Sequence, residues 1–205
     1  MSYITTVTGK HFYPLNPDQQ NIDIEDIAHA LSLICRANGH FRHFYSVAQH
    51  SLACAEEAAA RGHSLAVVHG CLLHDASEAY LCDVTRPVKK HIPAYLQAEE
   101  KLQAVIWKHF IGRELTEAEQ AQIFEIDDHI LSMEFHLLMP EDLNEDYRKL
   151  QSDCACAPQA PHGSRILPPT KPVCSPQKLK RGVLSEDGIF DLLERAHHHD
   201  TSSPY

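Results

Sequence analysis

Helix boundaries are spelled out repeatedly along this chain, and strand boundaries hardly at all. "SVAQHSLACAEEAAARG" opens on Ser46 with Gln49 three positions on and closes on Gly62. Such a pair satisfies the free N–H groups of a helix start reciprocally, and glycine suits the stop. "TEAEQAQIFEIDDHILSMEFHLLMP" repeats the device with Thr116 and Glu119 and closes on Pro140. Asp23 caps "DIEDIAHALSLICRANG", where Ile24, Ile27, Ala28, Leu31 and Ile34 fall at helical spacing and Gly39 is the expected stop. Ser64 caps "LAVVHGCLLHDASEAYL", read as one helix, and "AYLQAEEKLQAVIWKHFIG" is helical up to Gly112. Alternation with period two is nearly absent. The fold class expected is all-α, a bundle of about six helices.

Two segments break this grammar. "CDVTRPVKKHIP" carries two prolines and cannot be continuous helix. Residues 151–178 hold six of the twelve prolines and three of the seven cysteines, which reads as irregular chain lying over the helical body. The expected organisation is a core over 1–150 and a Pro-rich C-terminal extension over 151–205. That extension would include a short helix at "SEDGIFDLLERA" and a disordered tail. With 43% hydrophobic residues over 205 positions, one domain with a sizeable core is expected.

A net charge of −10 argues against a surface built for duplex nucleic acid, but not against a small anion in a locally basic pocket. No run of some eighteen apolar residues occurs, so no membrane span is expected. The opening "MSYITTVTGKHFYP" lacks a basic segment followed by an apolar one. Together with an odd cysteine count, and Cys35, Cys54 and Cys71 inside helical patterns, this predicts reduced thiols and a cytoplasmic location.

Several polar residues fall on faces that should be buried. Val47, His50 and Cys54 share one side, so His50 is expected to point inward. Cys71, His74, Asp75 and Glu78 line a second face; Ile123, Asp127, Ile130, Glu134 and Leu138 form a third. Burying an unpaired carboxylate is costly. Packed together, His50, His74, Asp75 and Asp127 would place two imidazoles and two carboxylates around one point, a donor set suited to a divalent ion. Read from spacing alone, hydrogen-bonded core histidines explain the pattern equally well.

The order His, then His-Asp, then Asp resembles the HD-domain metal-dependent phosphohydrolase superfamily. "ICRANGHFRHFYSVAQHS", "LLHDASEAYLCDVTRPVK" and "IDDHILSMEFHLLMP" resemble three blocks of its small nucleotidase branch. That branch holds bacterial 5'-deoxynucleotidases and phage or prophage proteins, dATP triphosphohydrolases among them. The resemblance spans roughly residues 4 to 140. It implies His50, His74, Asp75 and Asp127 as ligands of one divalent metal ion (Mn, Co, Mg, Fe or Zn), with Asp128 the competing choice for the last. It implies Glu78 and Asp83 as catalytic acids, Glu78 acting on water and Asp83 in catalysis or leaving-group protonation. Arg36 and Lys89 become phosphate contacts on the pocket rim. His91 and His109 are the only histidines between the His-Asp pair and Asp127, and they do not match the two-metal pattern.

The activity implied is hydrolysis of a deoxynucleoside monophosphate. The alternatives are release of triphosphate or pyrophosphate from a dNTP, and a non-catalytic nucleotide-binding regulatory module. The expected partner is a small nucleotide, with no membrane and no duplex; a homo-oligomer is expected, its size open. His40 and His43 are weaker candidates for phosphate or sugar contacts. Cys154, Cys156, His162 and Cys174 have poor spacing for zinc.

Overall fold

The computed structural model describes residues 2–139. The expectations for the C-terminal extension, its short helix, its tail and the Cys154/Cys156/His162/Cys174 group lie outside the described residues. Within them the chain is an all-α bundle. A small antiparallel hairpin precedes it, β1 (Ile4–Thr5) and β2 (His11–Phe12), with Ile4 opposite Phe12. The helices are α1 (Ile24–Leu33), α2 (Val47–Ala60), α3 (Leu65–Leu72), α4 (Glu78–Leu81), α5 (Arg86–Lys89), α6 (Pro93–Ile111) and α7 (Glu117–Leu138). Of these, α4 and α5 are single turns. Among the described residues no helix is long and apolar enough to cross a membrane.

The caps form as the sequence predicts. Ser46 accepts from the Gln49 N–H while the Gln49 side chain accepts from the Ser46 N–H, and Thr116 and Glu119 do the same for α7. Asp23 caps α1 through the Glu25 N–H and Ser64 caps α3 through the Val67 N–H. The core lies where α2, α3 and α7 pack on one another, with α1 against α2 and α6 against α3. Leu52, Leu72, Leu102, Ile106, Ile123, Ile126 and Ile130 fill it.

Two helices end earlier than expected. The first stops at Leu33, not near Gly39. Ile34 to Arg36 run beside the start of α2, with the Arg36 N–H bonded to the Tyr45 carbonyl and the Val47 N–H to the Ile34 carbonyl. The chain then reverses through Ala37 (φ 51°), Asn38 (φ 52°) and Gly39 (φ 76°), all left-handed. This turn needs the glycine that the sequence reading took for a helix stop.

The second surprise falls on the His-Asp pair. The predicted helix over 65–81 breaks after Leu72 and resumes only at Glu78. His74 and Asp75 therefore stand in a turn, not one helical turn before Glu78. Neighbours on a helix project about 100° apart; the turn lets both side chains face one point. A buried glutamine on α6 satisfies the broken backbone. Gln103 Oε1 accepts from the Ser77 N–H at 3.1 Å, and its Nε2 donates to the Leu73 carbonyl at 2.7 Å.

Close approach of α3 and α7 depends on Gly70. A Cβ there would collide with Ile123 Cδ1 and meet its Cγ1 at 3.1 Å. Ile123 is buried and β-branched, so it has little room to give. Gly70→Ala is expected to destabilise the protein by about 1–3 kcal/mol, the usual cost of overpacking. Chemical denaturation measures it. A stability equal to the parent would mean the helices separate freely.

Candidate metal centre

Three structural elements converge on one buried point. His50 comes from the first turn of α2, His74 and Asp75 from the turn after α3, and Asp127 and Glu134 from the inner stripe of α7. His50 and Glu134 are fully buried, and Asp127 nearly so. Asp128, one position along, has its side chain 65% exposed and paired with Arg86. The helix thus turns one acid of the pair inward and the other outward.

Hydrogen bonds fix the imidazoles. His74 Nδ1 lies 2.7 Å from the Cys71 carbonyl oxygen, which can only accept, so Nδ1 carries a proton. His50 Nδ1–H donates to Glu134 Oε1 at 2.7 Å. In the neutral rings both Nε2 atoms then present lone pairs, and these stand 3.1 Å apart. Asp127 Oδ1 is 3.0 Å from His50 Nε2 and 3.6 Å from His74 Nε2. Asp75 Oδ2 is 3.3 Å from His74 Nε2 and 3.8 Å from His50 Nε2.

Donors bound at about 2.1 Å lie about 3.0 Å apart along an octahedral edge and about 3.4 Å along a tetrahedral one. The observed separations fall around those edges. Acceptors this close repel one another unless a cation or a proton stands among them. His50, Cys54, His74 and Asp127 form a buried group able to hold a metal ion, their donor atoms lying within 4.8 Å of one another. Cys54 Sγ is 3.6 Å from His50 Nε2 and 4.0 Å from its Nδ1. Near-equal distances to both nitrogens put the sulfur off the line of the Nε2 lone pair. Burial, with the charges of Asp127 and Glu134, holds the Cys54 thiol well above its usual range.

Positive charge among these acids comes from Arg36. Its Nη1 donates to Asp75 Oδ2 at 2.9 Å, its Nη2 to His50 Nε2 at 2.8 Å, and its Nε reaches Glu134 Oε2 at 3.5 Å. The sequence predicts Arg36 at a helix end on the pocket rim. The structure puts it in the cluster, because α1 ends early and the backbone turns inward. Arg36→Lys keeps the charge but loses the fork. It is expected to destabilise the fold by about 2 kcal/mol through lost charge-assisted hydrogen bonds. Thermal unfolding of the two proteins tests this.

The acids divide into two kinds. Burial works against a charge on Asp75 and Asp127, but His74, Arg36 and His50 at Asp75, and the two histidines at Asp127, hold both well below the usual carboxylate range. Burial likewise opposes a proton on His74, and Asp75 and Asp127 overcome it, raising that imidazole. Glu78 goes the other way. Burial first, then the charges of Asp75 and Asp83, push its carboxyl up to about 9, and its Oε2 is buried with no hydrogen-bond partner. Burial also raises Asp83, with Asp75 adding to it and Arg36 opposing.

Lys89, on α5, lies 3.9 Å from Glu78 and 2.6 Å from Glu99. His50, His74, Asp75, Asp127, Glu78, Asp83, Arg36 and Lys89 therefore gather around one site, Arg36 at its heart and Lys89 beside Glu78. Among the described residues no contact places His40 or His43 there. Sequence reasoning missed the roles of four others. Glu134 appeared only as a member of the α7 stripe, although an acid on an apolar stripe is itself a signal. Cys54 was read as core. Arg86 donates to Asp127 Oδ2 and Asp128 Oδ1, both at 2.6 Å, and had no local signal. Nor did Gln103.

Fold and site together define a helical protein with a buried His-Cys-His-Asp group able to hold a metal ion. No family model matches the chain. It is 45% identical over 106 residues to the uncharacterized protein YfdR of Escherichia coli K12, a match covering 52% of this chain and 57% of that protein. It is 37% identical over 110 residues to the uncharacterized protein RCAP_rcc00048 of Rhodobacter capsulatus, covering 51% and 56%. The chain spans about half the length of these curated relatives, and neither name states an activity.

Proposed function

We propose that this protein is a metal-dependent nucleotide phosphohydrolase of the HD-domain kind, acting on deoxynucleoside monophosphates. The observation that carries this reading is the convergence of His50, His74, Asp75 and Asp127 at coordination-edge distances, with Glu78 close by and partnerless at one oxygen. These four residues would hold one divalent ion. Asp75 is preferred to Cys54 as the fourth ligand because its oxygen lies 3.3 Å from His74 Nε2 and is held ionised, whereas burial keeps the Cys54 thiol protonated. When bound, such an ion neutralises phosphate charge and makes water a better nucleophile at neutral pH.

The chain's own residues supply the rest. Glu78 takes the proton of the attacking water. Burial beside Asp75 and Asp83 raises its affinity for protons in the metal-free protein; it accepts one only in its ionised form, which the positive charge of a bound ion would favour. Asp83, also raised, returns a proton to the departing 5' oxygen. Arg36 and Lys89 offset the charge of the phosphate oxygens. Glu134 and the Cys71 carbonyl keep both imidazoles in the tautomer whose Nε2 carries no proton.

A nucleotide screen with Mn, Co and Mg, with product analysis, tests the reading. Metal-dependent release of inorganic phosphate from deoxynucleoside monophosphates is expected. Release of pyrophosphate or triphosphate from dNTPs would move the substrate to the triphosphate class. Nucleotide binding without turnover under every metal would make the protein a regulatory module and overturn the proposal.

A further inference from the structure

The strand of chain between α4 and α6 carries Asp83 and Lys89, and one side chain touches both ends of it. Tyr95, in the first turn of α6, donates its hydroxyl to the Cys82 carbonyl at 2.6 Å. Lys89 Nζ stands 5.5 Å from the centre of the same ring. Cys82 is the residue that most needs holding. Its φ of 73° with ψ of 151° is a region that glycine enters freely and other residues enter only under strain. Its N–H closes α4 on the Glu78 carbonyl at 2.8 Å, and the next residue is Asp83. The Cys82 peptide therefore sets how Asp83 is placed relative to Glu78.

We propose that Tyr95 is a positioning residue. Its hydroxyl latches the Cys82 peptide in this strained form, and its ring carries Lys89, so that Glu78, Asp83 and Lys89 keep one arrangement. The inference rests on the phosphohydrolase reading for what the arrangement is for. The latch itself rests on the backbone of Cys82 and its bond to Tyr95. Without the hydroxyl, Cys82 relaxes to negative φ and carries Asp83 away. A glycine at this position has no such strain to relieve, so it needs the latch less.

Full-length Tyr95→Phe, Cys82→Gly and the double variant test this, each loaded with Mn. Steady-state kinetics on a deoxynucleoside monophosphate and thermal unfolding are the two readouts. Tyr95→Phe is expected to lower kcat about five- to tenfold, the size of one hydrogen bond, with KM changed less than about twofold because the ring still faces Lys89. In the Cys82→Gly background the same change should cost roughly twofold or less, and its Tm shift should shrink in parallel. If the parent hydrolyses nucleotide and Tyr95→Phe matches it, the inference fails while the functional reading stands. Equal losses in both backgrounds would show that the hydroxyl does not act through Cys82. A parent with no turnover sinks the functional reading; the latch is then decided by Tm alone, and equal shifts in the two backgrounds overturn it.

Discussion

Replacing Asp127 with alanine is expected to strip the protein of its divalent ion, whereas Asp128→Ala should keep it. The two acids are adjacent on α7 yet chemically opposite. Asp127 is turned into the core, with Oδ1 between the two histidine Nε2 atoms. Asp128 faces solvent and touches only Arg86 among the contacts that define it. Loss of a direct ligand should weaken metal binding by more than the about 10–100-fold typical of losing an outlying hydrogen bond. Asp128→Ala removes half of the Arg86 fork and leaves the other half on Asp127 Oδ2. Its effect should stay within that outlying range. Calorimetric titration with Mn separates the two. Retention of the ion by Asp127→Ala, with loss from Asp128→Ala, would mean that the wrong neighbour was chosen.

How far this site was legible depends on whether the signal was local. Ser46 with Gln49, Thr116 with Glu119, and the inward stripe of Ile123, Asp127, Ile130 and Glu134 are written within a few residues of each other. Those features could be read directly. The break at Leu73–Ser77 could not. No glycine or proline marks it, and the apolar spacing runs through it as it would through a helix. What stabilises the turn is Gln103, on another helix, supplying a donor and an acceptor from far along the chain. Arg36 shows the same limit. Its partners Asp75 and Glu134 lie 39 and 98 positions away. Its inward path also depends on a turn built from Ala37 and Asn38 at positive φ, which asparagine favours but alanine does not advertise. The strained Cys82 and its latch are likewise invisible to spacing. Patterns that repeat with the helix were readable; chain reversals held by distant side chains were not.

The other large effect is expected from Glu78→Ala, which should keep the ion and the nucleotide but lose about 100-fold or more of turnover. Glu78 begins α4, is buried, and lies close enough to Asp75 and Asp83 for their charges to raise its carboxyl to about 9. It is not among the donors facing the two Nε2 atoms, so metal content should survive its removal. A loss within about threefold would show that it does not handle the proton, since an acid–base group contributes far more. Stability gives a second, independent readout. In chelator the folded protein keeps the Glu78 proton up to about pH 9, while the unfolded chain releases it near the ordinary 4.5. Between those values the native state binds more protons than the unfolded state. The stability this group contributes is full below about pH 4.5 and is lost as pH rises toward 9. Glu78→Gln removes that slope. The variant should therefore gain on the parent as pH climbs from 6 to about 8.5, measured by urea unfolding with EDTA present. Parallel pH profiles for the two proteins would mean that Glu78 is already ionised in the fold. Burial beside Asp75 would then not hold the proton, and Glu78 would be in the form that takes one from water even without a bound ion.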